Sequence, residues 1–453
     1  MTALLYTLGV LAFVLAILVS IGLHELGHLV PAKKFGAKVP QWFIGFGPTV
    51  WSRQIGETEY GVKAIPLGGY VKIVGMLPPG AEELVEETTY DEDGEPVHRV
   101  RRSNTGMFTQ LISDARAAEW EYVKEHDADK LFYRLPWWQK VIVMAGGPTV
   151  NITIAFLIFL GIFATVGIKT QEAVPGQPVV DYVADCVVPA SESGRECTED
   201  DPVAPARASG IRVGDRIVSL NGTEIEEWSQ LQELIRANDD GRAVIGLVRD
   251  GKPTEVTTNT TVTARPTSAD DATLRQVGFL GVSPRTRIVT ETGGVLFTLE
   301  QMGHMTVDTV QALGTLPLKV YDVGQAILGL EERAIDSPVS IVGGGRFAGE
   351  AASDTSVDVT DRLLFLLTLI ASFNFFIGMF NFVPLLPLDG GHIAGALFEA
   401  LRRGLARLFG RPDPGHVDVA KLLPVAYVVG LAMLVMGVVL ILGDLIVPLH
   451  LAG

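Results

Sequence analysis

The 453-residue chain is short of charge, of cysteine and of basic residues. Only 19% of it is charged, against roughly a quarter in soluble globular proteins, while 48% is hydrophobic. That balance argues against a wholly soluble enzyme and for a membrane protein with room for at least one soluble domain. Two cysteines are too few for a disulfide scaffold or a cysteine-based zinc site. The 36 Lys and Arg are outnumbered by 52 Asp and Glu, a net charge of −16, which excludes a nucleic-acid binder. With 49 Gly, 25 Pro and no compositional repeat, the chain is neither disordered nor fibrous.

In place of charge there are four long runs free of Asp, Glu, Lys and Arg: Met1 to Leu23, Val141 to Ile168, Leu363 to Leu388 and Leu422 to Gly443. Each reaches the about 20 apolar residues that a helix needs to cross a bilayer. The first reads as a retained span: no basic residue precedes it, no small-residue cleavage site closes it, and it flows into a His/Glu motif. Lys33, Lys34 and Lys38 follow it, Lys140 opens the second run, and Arg402, Arg403, Arg407, Arg411 and Lys421 separate the third from the fourth. The positive-inside rule places those loops in the cytoplasm and both termini outside. The stretch 80–129, also cytoplasmic, holds 14 acidic against 5 basic residues and reads as a solvated insertion, helical from Ser113 to Lys130.

The region from about 170 to 290 falls on the far side. Ala208 to Gly222 reads as a turn, a short β-branched strand and an Asn-Gly turn, followed by helical spacing from Trp228 to Ala237. This order, continuing through Ala243 to Val248 and a Thr-rich strand to Thr263, resembles a PDZ domain, without an evident Gly-Leu-Gly-Phe carboxylate loop. Cys186 and Cys197 would lie on the oxidising side, either bridged or as two free thiols. Gly293 to Leu330 has the periodicity of an amphipathic helix along the bilayer, with a fifth span as the alternative. Ile55 to Gly75 reads as strands joined by a Gly-Gly turn.

The chemistry is concentrated in His24-Glu25-Leu-Gly-His28. Positions i and i+4 of a helix share a face, so both imidazoles can reach one Zn²⁺ while Glu25 faces its water. The motif sits at one end of an otherwise uncharged run, where ionisable groups are costly and mark function. A catalytic zinc needs a third protein ligand and an open position. Asn381-Phe-Val-Pro-Leu-Leu-Pro-Leu-Asp389-Gly-Gly-His392 ends the third run with helix-breaking prolines, and Asp389 is the candidate, with His392 as a weaker one.

HExxH in the first span, N-x-x-P-x-x-P-L-D-G-G in a later one and a PDZ-like domain between them resemble the site-2 proteases, intramembrane zinc metalloproteases. Gly45-Phe-Gly47, Pro66 to Lys72, Ala145 to Asn151 and Ser337 to Ile341 are similar to further blocks of that family. A single PDZ domain resembles the actinobacterial branch of the regulators of sigma factors. The resemblance implies His24, His28 and Asp389 as zinc ligands, Glu25 as general base, and Asn381, Gly68, Gly69 and Tyr70 as substrate-binding. It implies a β-loop that pairs with an unwound substrate helix, and an outer domain that admits only substrates already trimmed. Asn374 lies two turns before Asn381 on the same face, and Asn151 reads as an interhelical packing residue.

The expected fold is an α-helical polytopic membrane protein: four transmembrane helices, a membrane-associated β-hairpin and one extracytoplasmic PDZ-like β-rich domain. Its parts are the first span with HExxH (1–32), the β-loop (40–78), an acidic cytoplasmic insertion (79–130), the second span (138–168) and the PDZ-like domain (172–288). Amphipathic helices (293–350), the third span with the LDG loop (361–392), a basic cytoplasmic loop (393–420) and the fourth span (421–447) complete it. The expected activity is zinc-dependent cleavage, near the cytoplasmic face of a bacterial plasma membrane, of a single-span protein such as an anti-sigma factor after a first outer cut. Membrane lipid is the other expected partner. A catalytically silent scaffold presenting a PDZ domain is the alternative, and a transporter, lacking inverted-repeat hydropathy, is a third.

Overall fold

The computed structural model describes residues 2–78, 86–90, 96–100, 107–120, 129–175, 178–188, 197–198, 201–266, 274–334 and 336–451. They divide into two units, Met1–Thr165 with Gly293–Gly453, and Val166–Thr292. The first unit begins with α1 (Thr2–Lys34), β1 (Gln41–Ile55), β2 (Thr58–Lys72), β3 (Glu86–Tyr90), β4 (Pro96–Val100), α2 (Met107–Trp120) and α3 (Trp137–Thr165). The second holds β5 (Ile168–Ala173), β6 (Val180–Val183), α4 (Pro205–Ala208), β7 (Arg216–Leu220), β8 (Thr223–Glu224), α5 (Trp228–Ala237), β9 (Arg242–Arg249) and β10 (Lys252–Asn259). It ends with β11 (Thr261–Pro266), β12 (Leu274–Phe279), β13 (Val282–Pro284) and β14 (Thr286–Glu291). The first unit then resumes with α6 (Val295–Ile327), α7 (Ile341–Ser353), α8 (Val359–Asn381), α9 (Asp389–Leu408) and α10 (Leu423–Ile446).

Four helices among the described residues are long and apolar enough to cross a membrane: α1, α3, α8, and α10 with the turn before it. This is a multi-pass membrane protein. Its exposed Leu4, Leu8, Leu11 and Leu15 on α1, and Val428, Leu431 and Leu434 on α10, are unfavourable in water and suited to acyl chains. Gly36, at φ +80°, closes α1, and the Ala37 amide reaches back 2.9 Å to the Ala32 carbonyl. α8 stops at Asn381, short of the end of its uncharged run, because Pro384 and Pro387 cannot continue a helix. The stretch from 393 that charge alone marked as a basic loop is helical to Leu408, since Ile393, Ala396, Leu397, Ala400 and Leu401 recur at helical spacing.

α6 is not among the four candidate spans. It starts against the C-terminal end of α3, where the Gly293 amide donates to the Phe163 carbonyl at 3.1 Å and Phe297 meets the Phe163 ring. Near its other end Val323 packs against Gly443, at the C-terminal end of α10. Of the acidic insertion, β3 and β4 form a hairpin and α2 a helix. The helix expected from Ser113 begins at Met107, because Met107, Leu111 and Ile112 extend its apolar spacing backwards, and its expected continuation through 121–128 lies outside the described residues.

β1 and β2 make the sheet that matters for the site. Gln41–Ile44 lies between Glu59–Val62 on one side and Gly69–Lys72 on the other, while Trp51–Ile55 pairs with Thr58–Val62 beyond. Gly69–Lys72 is therefore an outer segment of this sheet among the described residues. Val50, Trp51 and Ile55 at the far end are exposed.

In the second unit β10, β9, β7 and β8 form one sheet in that order, with α5 among its partners in a core of Ile217, Leu220, Leu231, Ile245, Leu247 and Leu280. Asn221 and Gly222, both at positive φ, make the β7–β8 turn as their Asn-Gly sequence predicts. Cys186 and Cys197 form a disulfide. Asp215 is buried and accepts from Arg249 Nε at 2.8 Å and Nη2 at 2.6 Å and from the Arg212 amide at 2.8 Å. Burial alone would raise its carboxyl; these donors outweigh burial and hold it below the usual carboxylate range. The pair thus contributes stability above the unfolded pKa of about 3.9 and loses it as pH falls through the lower folded value. Asp215→Asn is expected to cost this unit about 2–3 kcal/mol at pH 7 in chemical denaturation, with the gap to wild type narrowing below about pH 4.

Candidate metal centre

Helix α1 places His24, Glu25 and His28 on one side, as their spacing requires. α3 supplies the facing surface through Val143, Gly147 and Asn151, which recur every four residues. His28 Nδ1 lies 2.8 Å from the Val143 carbonyl and His24 Nδ1 3.1 Å from Asn151 Oδ1. Both acceptors hold a proton on Nδ1, so each ring presents the bare lone pair of Nε2 inward.

The two Nε2 atoms are 3.3 Å apart. Asp389, at the first turn of α9, brings Oδ2 to 3.4 Å from His24 Nε2 and 3.3 Å from His28 Nε2. Three lone-pair donors facing one another at this separation repel unless a cation lies between them. Tetrahedral zinc with ligands at about 2.0–2.1 Å sets its ligand atoms about 3.3–3.4 Å apart. The residues therefore fit zinc in spacing, donor type and ring orientation. They are the group able to hold a metal ion found among the described residues, and their side chains are 12%, 4% and 20% exposed for His24, His28 and Asp389.

Gly147 makes the centre possible. A β-carbon there would lie 2.7 Å from His24 Nε2 and closer still to His28 Nε2, in the space the imidazoles and a metal need. Beside it Gly27 and Gly146 let the two helices meet backbone to backbone, a β-carbon on Gly27 falling 2.5 Å from the Gly146 carbonyl oxygen.

Glu25 is half-buried beside the triad, where the outer segment of β2 covers it. A β-carbon on Gly69 would sit 3.1 Å from Glu25 Cγ. Of the residues expected to bind substrate, Gly69 thus touches Glu25. Gly68, at φ +106°, packs on Phe46, and Tyr70 stacks on Phe43 at 5.6 Å. Asn381 stands apart from this group, its amide donating to the Ile377 carbonyl at 3.1 Å. Asn374 likewise bonds its own helix at Ile370. His392 is outside the triad and lines an apolar cavity of about 380 Å³ with Tyr70, Val71, Leu386, Pro387 and Ala426. Asn151, read from sequence as packing, meets the His24 ring, a contact sequence reasoning missed; its place seven positions, or two turns, after Met144 marks the α3 face that meets α1.

An HExxH pair with its glutamate on a helix long and apolar enough to cross a membrane, met by a carboxylate from a separate helix, is the donor set of a zinc metalloendopeptidase. The comparisons agree. The model of peptidase family M50 matches residues 12–410, and the chain belongs to this family, the site-2 proteases. The chain is 33% identical to the zinc metalloprotease Rip1 of Mycolicibacterium smegmatis, over 98% of this chain and 99% of that protein. It is 32% identical to Rip1 of Mycobacterium tuberculosis, over 99% of each. It is 24% identical to the regulator of sigma-W protease RasP of Bacillus subtilis, over 87% of this chain and 90% of that protein.

Gly147→Ala is expected to abolish stoichiometric zinc in purified protein, read by atomic absorption. Asn151→Ala, which only frees the His24 ring, is expected to weaken zinc about 10–100-fold in chelator competition.

Proposed function

We propose that the protein cuts the transmembrane segment of single-span membrane proteins, with His24, His28 and Asp389 holding zinc and Glu25 as general base. The observation that carries this reading is the triangle of donor atoms 3.3–3.4 Å apart beside a glutamate covered by an outer β-segment. Zinc, when bound, supplies a Lewis acid for the scissile carbonyl and brings the pKa of a water to about 7. Glu25 takes a proton from the attacking water and delivers it to the departing amide nitrogen. His24 and His28, tied by Nδ1 to Asn151 and Val143, keep Nε2 free for the metal.

A transmembrane helix cannot be cut while its carbonyls are bonded within the helix. Gly69–Lys72 takes up the released backbone by strand pairing, and Gly68, Gly69 and Tyr70 belong to this substrate track. The apolar cavity between Tyr70, Pro387 and Ala426 receives a substrate side chain. Asn381 reaches the substrate or the tetrahedral oxyanion by giving up its bond to Ile377. Lys33, Lys34, Lys140 and the basic residues from Arg402 to Lys421 support a site near the cytoplasmic face, with the PDZ-like unit extracytoplasmic as a filter for trimmed substrates. The name of RasP, a regulator of sigma-W protease, supports an anti-sigma factor as the substrate. A silent scaffold would have no use for two oriented imidazoles, and nothing in the site favours it.

Glu25→Gln is expected to keep full zinc content and lower cleavage of a single-span substrate by about 10²–10⁴-fold. In membranes of cells carrying it, uncut single-span anti-sigma factors accumulate relative to wild type; cleavage at the wild-type rate would contradict the assignment of Glu25.

A further inference from the structure

Three turns of α9 separate Asp389 from Glu399, about 15 Å along the axis. Asp389, Ala396 and Glu399 lie on one face of that helix, and Ala396 and Glu399 are buried. Glu399, 2% exposed, accepts from Lys140 Nζ at 2.8 Å, and Lys140 itself is 7% exposed. Lys140 lies on α3 one turn before Val143, on the face that also carries Gly147 and Asn151. Glu399 is held further by Arg403 Nη1 at 3.3 Å, His416 Nδ1 at 3.3 Å and the Val417 amide at 3.3 Å. Burial alone would raise its carboxyl; the Lys140 ammonium, the Val417 amide and the Arg403 guanidinium outweigh burial and keep it below the usual range.

A buried ion pair is weak evidence for stability, because desolvation of both charges offsets their attraction, so its role is better sought in geometry. One helix, α3, carries the acceptors that orient both imidazoles together with Lys140. Another, α9, carries the carboxylate ligand together with Glu399. Apolar contacts between the two tolerate sliding, whereas a 2.8 Å buried hydrogen-bonded pair does not. We propose that the Lys140–Glu399 pair sets the axial register of α9 on α3 and so places the Asp389 carboxylate on the two imidazoles. Both are positioning residues; neither touches metal or substrate. The inference rests on His24, His28 and Asp389 being the zinc ligands.

The test uses the full chain in detergent. It reads the zinc dissociation constant by chelator competition, the d–d absorption of the Co²⁺-substituted protein, the thermal midpoint, and kcat and KM on a single-span substrate. Lys140→Met and Glu399→Gln are each expected to weaken zinc on the order of tenfold, to alter the Co²⁺ bands and to lower kcat with little change in KM. Lys140→Arg, which keeps the pair, retains the wild-type Co²⁺ spectrum. Wild-type zinc affinity and Co²⁺ bands in folded Lys140→Met or Glu399→Gln would overturn the proposal, whatever happens to activity. Should both fail to fold, Glu399→Asp, which keeps the charge but shortens its reach, decides on the same two readouts. His24→Ala tests the ligand assignment separately: if it retains stoichiometric zinc the assignment fails, and if it loses zinc while the Lys140 and Glu399 variants bind normally, only the register proposal fails.

Discussion

Helices α1 and α3 cross at Gly27 and Gly146, where neither backbone has room for a β-carbon on the other. That approach governs the distances at the centre. It brings the Val143 carbonyl to 2.8 Å from His28 and Asn151 to 3.1 Å from His24. It leaves the volume opposite Gly147 to the two rings. In lipid, where burial of apolar surface gives no drive for helix association, small residues and short polar contacts are what hold such a crossing.

The bilayer also explains how charge is distributed. An ionisable group at membrane depth persists only when paired or functional. Near the other ends of the spans, Asp444 of α10 binds Arg333 at 2.8 Å and accepts from the Ser340 and Gly343 amides, so its buried carboxylate is fully engaged. Glu399 is engaged by Lys140, Arg403 and His416. His24, His28 and Asp389 differ: their inward atoms face each other with no partner but a cation to reconcile them. That contrast sets charge satisfied by protein partners apart from three groups whose donor atoms converge on one point.

The cluster of His24, His28 and Asp389 was legible in sequence because HExxH is a spacing with a geometric meaning and because Asp389 follows two prolines that end a span. The spans were legible as uncharged runs, and the Asn221-Gly222 turn and helix α5 by local chemistry. What was not legible depends on long-range contact. The acceptor for His28 is the backbone carbonyl of Val143, which has no side-chain signature, and Asn151 looked like packing until α1 lay against it. Lys140 served only as a marker of orientation, and α9 was hidden by the charges on its outer face, since counting charge ignores period. The extent of α2 was misjudged where acidic residues dilute its apolar spacing.

The most direct measurement is zinc-edge X-ray absorption of the detergent-purified full chain. Two imidazoles with oxygen ligands at about 2.0–2.1 Å and no sulfur are predicted, with one imidazole lost in His28→Ala. A third imidazole, or a zinc environment unchanged by that substitution, would contradict the centre described.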